Sequence, residues 1–207
     1  MPKTSLRLEI TFRTAVHQGS GYGAAGIVDR GCLRDDRGIP YLAGSSLKGK
    51  FRYAAGVILR SEGANGRALC GWNEGKWCRE GTGCDFCLTF GSPMRAAKVR
   101  FSDAYPEAGI RNALDDVLSE SPGWMASAGS EIRSTTSISR KWHRAETERL
   151  FSTEVVVPGI GFVATIEGQV SDARFALLRD CAKLISEFGA NSSRGMGSCE
   201  FKLVRAA

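Results

Sequence analysis

The order in which strand-like and helix-like stretches follow one another constrains this chain more than any other feature of its sequence. Residues 6–14 alternate, with Leu6, Leu8, Ile10 and Phe12 on one face and Arg7, Glu9, Thr11 and Arg13 on the other, the pattern of a half-buried strand. A loop opened by Gly19, Gly21 and Gly23 follows. A hairpin is expected over 27–42, turning at Asp35-Asp36-Arg37-Gly38, where aspartates bond the local backbone. The first helix starts after Gly44, capped by Ser45 or Ser46, with Leu47, Phe51, Ala54 or Ala55 and Ile58 at helical spacing. Residues 99–105 read as a short strand, 106–150 as polar and irregular, and 154–157 and 161–170 as strands. The second helix is expected over 173–188, with Leu177, Leu178, Cys181, Ile185 and Phe188 on its apolar stripe and Gly189 at its end. Residues 198–204 make a last strand.

Without its insertions the order is strand, helix, strand, strand, helix, strand. That is the order of an α+β domain of the ferredoxin-like (RRM-like) kind, an antiparallel four-stranded sheet with both helices on one face. A single domain is expected over 1–207, with insertions at 66–90 and about 106–152. The open sheet face is where RNA-recognition folds present their ligand, but a fold alone does not give a function.

A net charge of +6 and a pI near 9.1 allow a nucleic-acid partner without establishing one. No apolar run approaches the ~18 residues of a membrane span; the stretch from Val155 to Ile166 is broken by Pro158, Gly159 and Gly161. The first residues lead into a strand pattern rather than a signal peptide, so a cytoplasmic protein with no membrane partner is expected.

Four of the seven cysteines, Cys70, Cys78, Cys84 and Cys87, fall in one stretch spaced C-x7-C-x5-C-x2-C. The final two-residue loop brings two thiolates onto one ion, and Gly71, Gly75, Gly81 and Gly83 permit the turns of such a knuckle. Four soft ligands with no open position describe a structural zinc site. The bland alternative is four unliganded thiols in a loop. Cys181, on the apolar face of a helix, is core.

Two segments look built for phosphate. In Gly44-Ser45-Ser46-Leu47-Lys48-Gly49-Lys50-Phe51-Arg52 a helix start offers free N–H groups, and Lys48, Lys50 and Arg52 add charge. The same residues also read as an N-cap with solvated lysines. In Gly189-Ala190-Asn191-Ser192-Ser193-Arg194-Gly195-Met196-Gly197 small residues let the backbone approach a ligand, or simply turn a helix into a strand. It is not a nucleotide-hydrolysing P-loop.

Gly44-Ser45-Ser46-Leu47-Lys48-Gly49, Phe90-Gly91-Ser92, Phe101-Ser102-Asp103-Ala104 and Ser193-Arg194-Gly195-Met196-Gly197, in that order, resemble the RAMP superfamily of CRISPR-associated proteins. The likeness spans nearly the whole chain and points to the repeated backbone subunit of type III CRISPR effector complexes, in a zinc-containing subfamily. The resemblance implies a palm that stacks with other copies of itself and other effector subunits along a guide RNA. It also implies a thumb across the guide–target duplex that displaces a base. Mapped here, the palm contacts are Ser45, Ser46, Lys48, Arg52, Ser193, Arg194 and Gly195. The thumb falls within 124–152, where Arg133, Arg140, Lys141, Arg144 and Arg149 make a flexible basic arm; composition alone would make it a solvated loop.

Val28-Asp29-Arg30-Gly31-Cys32-Leu33-Arg34-Asp35 resembles the family's loop whose aspartate is needed to cut target RNA, although the hairpin after it is shorter here. Asp29 is accordingly the expected catalytic residue of a metal-dependent endoribonuclease, assisting proton removal or charge stabilisation directly or through Mg²⁺ or another divalent ion. Read without the resemblance, it is a surface carboxylate in a Gly-rich loop. His17 is expected to contact RNA. In related nucleases that process guide RNA a histidine here acts with tyrosine support, and Tyr22 is near in sequence. The readings left open are a target-cleaving subunit, a guide-binding subunit that does not cut, a guide-processing nuclease, and a zinc protein unrelated to RNA.

Overall fold

The computed structural model describes residues 4–23, 28–62, 70–71, 74–78, 83–120 and 128–205. Ile27 of the expected hairpin, residues 66–69, 72–73 and 79–82 of the cysteine insertion (Gly81 among them) and 124–127 of the thumb lie outside the described residues. In chain order the elements are β1 (Thr4–Phe12), α1 (Gly44–Glu62), α2 (Asp85–Phe90), β2 (Val99–Phe101), β3 (Tyr105–Pro106), α3 (Ala108–Glu120), β4 (Ser130–Ile138), β5 (Ala145–Val156), β6 (Gly161–Gly168), α4 (Asp172–Leu184) and β7 (Cys199–Arg205).

The protein is mixed α+β, with antiparallel sheets. β1 runs between β6 and β7, with Leu8 opposite Ala164 on one side and Leu203 on the other. β2 and β3 pair with the outer edge of β6, giving the order β2-β6-β1-β7. The alternation read from β1 is real: Leu6, Leu8, Ile10 and Phe12 are buried together with Phe162, Ala164 and Ile166 of β6 and Phe201 of β7. These side chains share one core with Leu47, Phe51, Ala55 and Leu59 of α1 and Leu177, Leu178 and Cys181 of α4. Phe51 lies at its centre, its ring centroid 5.3 Å from that of Phe101 and 5.8 Å from that of Phe201. Truncating such a ring costs about 3–5 kcal/mol. The opposite sheet face carries paired charges, including Arg7–Glu9 at 2.9 Å and Lys202–Glu9 at 3.9 Å.

Several expectations are corrected. Among the described residues the expected 27–42 hairpin forms no ladder: its arms meet at an isolated bridge, Arg34 to Pro40, and Leu42 bridges instead to Ala104. Its turn is as expected, Asp35 Oδ1 accepting from the Arg37 and Ile39 amides at 3.1 and 2.9 Å. Neither Ser45 nor Ser46 caps α1. Instead Asp103 Oδ1 accepts from the Gly44 amide at 2.7 Å. A Cβ at Gly44 would lie 2.6 Å from the Phe101 and Ser102 carbonyl oxygens, so only glycine lets the two motifs pack this closely. The strand expected over 99–105 is interrupted at Ser102-Asp103, where Ser102 bonds Thr165 through its amide and its hydroxyl. α4 ends at Leu184, with Ile185 already extended, so Gly189 (φ +90°) turns a later loop and does not end the helix. The 106–150 stretch is not irregular. It folds into α3 and the β4–β5 hairpin, so the basic arm is a paired strand ribbon. Among the described residues no helix is long and apolar enough to cross a membrane.

Candidate nucleic-acid interface

The two glycine-serine segments border one groove. Ser45, Ser46, Gly49 and Lys50 of α1 face Gly189 and Ala190 across a space of about 670 Å³ whose floor includes His17 and Gln18. The second segment is held there by the backbone: Ala190 N donates to His17 O at 2.9 Å and Gly197 N to Ala15 O at 2.8 Å. A second groove of about 380 Å³ is lined by Arg30, Arg133, Thr135, Phe151, Asn191 and Arg194. Ala190 walls the first and Asn191 the second, so one loop borders both. The fold thus brings Arg133 of the hairpin to Arg194, residues that sequence order leaves far apart.

Other expected contacts are placed elsewhere. Lys48 and Arg52 lie on a different side of α1, in a third recess with Trp77, Ser92 and Arg95. The Arg52 guanidinium sits 5.4 Å from the Trp77 ring centroid and 5.2 Å from that of Phe86. Burial, and then the nearby Arg52 charge, push the Lys48 pKa down. Ser193 and Gly195 are exposed and line neither groove, and Arg140 and Lys141 stand at the exposed hairpin tip, Lys141 4.8 Å over Trp142.

Asp29 is fully exposed, beside the middle of β5. Its Oδ2 accepts from Ser152 N at 2.7 Å and Ser152 Oγ at 3.0 Å, and its own amide donates to Ser152 O at 3.0 Å. These bonds, backbone first, hold its carboxyl below the ordinary range. Among the described residues it belongs to no cluster of three metal-ligating side chains. His17 is 5% exposed and its Nδ1 bonds the Glu154 carbonyl at 2.7 Å. Tyr22 is 82% exposed, and among the described residues no hydrogen bond joins it to His17.

The sequence reading missed Glu154. Its Oε2 accepts from Cys32 N at 2.8 Å, while Oε1 accepts from Ser130 Oγ at 2.7 Å and from Arg34. Glu154 N in turn donates to Arg30 O at 2.9 Å. One carboxylate therefore ties the Asp29 loop to both strands of the hairpin. Burial alone would raise the Glu154 pKa, but Arg34, the Cys32 amide and Ser130 outweigh it and bring it below the usual value. A carboxylate standing directly before the apolar run Val155-Val156-Val157 is the available signal.

Cys70, Cys78, Cys84 and Cys87 converge, all four sulfurs within 4.8 Å of one another and Cys70 Sγ 3.4 Å from Cys87 Sγ. Tetrahedral zinc, with Zn–S of about 2.3 Å, sets its sulfurs about 3.8 Å apart, so the set suits such an ion. Burial pushes the Cys70 and Cys87 thiols up. Cys84 shifts the other way, because amide and thiol hydrogen bonds outweigh its burial. The group could bind a metal such as zinc.

A mixed α+β domain with a cationic, loop-walled groove system is thus in place. The model of the RAMP superfamily matches residues 9–200, and the chain belongs to that superfamily. Comparison with curated proteins gives no match. Among solved structures the chain is similar to one in the cryo-EM structure of the Type III-B Cmr-beta bound to cognate target RNA. That match has a TM-score of 0.67 and 14% identity, covering 96% of each chain. A chain of the apo-state Type III-B Cmr-beta gives a TM-score of 0.64 and 15% identity over 97% of each.

Proposed function

We propose that the chain is a cytoplasmic backbone subunit of a type III CRISPR effector complex. In this reading it grips guide RNA, stacks with other copies of itself and other effector subunits, and cuts complementary target RNA. The observation that carries it is the meeting of the Gly44–Lys50 and Gly189–Arg194 segments at two neighbouring grooves, the second lined with arginines. Such a surface holds ribose-phosphate and leaves sequence to base pairing with the guide. The order β2-β6-β1-β7 under α1 and α4 supports a ferredoxin-like palm, and β4–β5 serves as the thumb. The similar Cmr-beta chain is described as bound to cognate target RNA. Zinc in the four-cysteine group staples the insertion that packs on α1.

Asp29 carries the cleavage step in this reading. A carboxylate kept ionised and fixed by Ser152 is a weak base, so its part is to orient the attacking 2′-hydroxyl beside the scissile phosphate. A divalent ion there, such as Mg²⁺, would stabilise charge on that phosphate and take most of its ligands from RNA and water. A guide-holding subunit that does not cut is the second reading, favoured by the same Ser152 bonds, which equally make Asp29 an anchor for its loop.

The test is purification of the chain from its host with sequencing of bound RNA and identification of bound proteins. Repeat-derived guide RNA with neighbouring effector subunits is expected. Clean purification without RNA refutes the proposal.

A further inference from the structure

We propose that His17 reads a ribose 2′-hydroxyl in the first groove and so makes the site select RNA over DNA. The inference rests on the RNA-binding reading above and names the group that reading leaves unassigned. A carbonyl can only accept, so the 2.7 Å contact from His17 Nδ1 to Glu154 O places the ring proton on Nδ1. In that tautomer Nε2 is an acceptor. His17 is 5% exposed, it borders the groove, and among the described residues Nε2 has no partner.

Gly19 keeps that nitrogen open. A Cβ at residue 19 would lie 3.0 Å from His17 Nε2 and cover it. The Gly19 φ lies outside the left-handed region, so the backbone does not require glycine there; the space does. A neighbouring group on the same wall has the same polarity of need. Gln18 gives its Nε2 to Ser46 Oγ at 3.1 Å, which leaves its buried Oε1 without a donor. Phosphate oxygens only accept, so they satisfy neither group. A ribose 2′-hydroxyl donates, and it is what distinguishes RNA from DNA.

The experiment measures binding of the full chain to single-stranded RNA and to the same sequence made with 2′-fluoro sugars, at fixed salt. Fluorine keeps the RNA-like sugar pucker and removes the donor. The wild-type protein is expected to bind the 2′-fluoro strand about tenfold more weakly, the size of one buried hydrogen bond left unmade. In His17→Asn the amide still donates where Nδ1 did but nothing replaces Nε2, so both strands should bind alike, at the wild-type 2′-fluoro level. Gly19→Ala, which screens Nε2 with a methyl group, should do the same and carries the test if His17→Asn fails to fold. Equal wild-type affinity for the two strands, or discrimination that survives in a folded variant, overturns the inference while leaving RNA binding standing. Wild-type protein that binds RNA at no salt concentration overturns the RNA-binding reading itself.

Discussion

Replacing Glu154 with alanine should detach the β4–β5 hairpin from the Asp29 loop, and the cost follows from what the carboxylate holds. The Glu154 side chain is 12% exposed and that of its partner Arg34 20%, so this pair is largely withdrawn from water. The substitution takes the charge partner from the Arg34 guanidinium and an acceptor from the Ser130 hydroxyl, and it leaves the Cys32 amide, on a residue only 6% exposed, without its acceptor. Removing one partner of a buried pair costs about 3–5 kcal/mol. At about 2–4 °C per kcal/mol for a chain of this size, the melting temperature at pH 7 should fall by about 6–20 °C. Glu154→Gln should cost less, because its amide oxygen still accepts from Cys32 N. Combining it with Arg34→Met should cost less than the two singles together, since each single leaves the other group unmatched. The measurement is thermal unfolding followed by circular dichroism. A loss below about 1 kcal/mol for Glu154→Ala, the value of an exposed ion pair, refutes the reasoning.

The same carboxylate predicts an acid limb. Because its folded pKa is depressed, its contribution is complete above the unfolded value of about 4.3 and is lost as the pH falls through the lower folded value. Melting temperature plotted against pH should therefore drop more steeply below about pH 4.3 for the wild-type protein than for Glu154→Gln. Parallel curves would count against the assignment.

Asp29→Ala should abolish target cleavage by the assembled complex and leave guide binding intact, and unchanged cutting rejects a catalytic role. Asp29→Asn keeps an oxygen for the Ser152 amide, so loss of cutting in both variants identifies the charge, whereas loss in Ala alone identifies the anchor. Elemental analysis should find one zinc per chain, and joint Cys84→Ser and Cys87→Ser substitution should lower the melting temperature because metal binding and folding are coupled. Sub-stoichiometric metal in carefully prepared protein would remove the zinc reading. Asp103→Ala should cost about 0.5–2 kcal/mol by uncapping α1, with Asp103→Asn restoring most of it in the same melts. No change would mean that the Gly44 amide finds another acceptor.

What the sequence disclosed, and what it hid, follows from how local each signal is. β1 was legible because its two faces meet different environments, and the four cysteines because their chemistry admits few uses. The cap of α1 was not, since its acceptor Asp103 lies far along the chain. The β4–β5 hairpin hides for another reason: Thr135, Thr136 and their neighbours are exposed on both faces, so no period-two pattern is written into it. α3 buries no residue completely, which leaves its Ile110, Leu114 and Leu118 spacing weak against a polar background. The end of α4 was misplaced because Ile185 and Phe188 stay buried after the backbone has left the helix. Burial continued; helical geometry did not.

The distribution of charge shows why a basic run in sequence is a poor guide to the binding face. In Lys48-Gly49-Lys50-Phe51-Arg52 the cations splay around α1: Lys50 borders the first groove, while Lys48 and Arg52 turn toward the cysteine insertion. There Arg52 spends its guanidinium on the Trp77 and Phe86 rings, bracing the insertion against the helix. The groove beside the hairpin instead draws Arg30, Arg133 and Arg194 from three separate segments. Arg30 stacks 6.0 Å from the Phe151 ring centroid, and Arg133 pairs at 2.6 Å with Glu131 where both side chains are nearly half exposed. An exposed pair of that kind contributes little, so a phosphate can replace Glu131 at small cost. Each arginine is held by a different element, and the Glu154 clamp joins two of those elements, the Arg30 loop and the Arg133 hairpin. Stability of that buried carboxylate and cationic alignment of the groove are therefore one property of the fold.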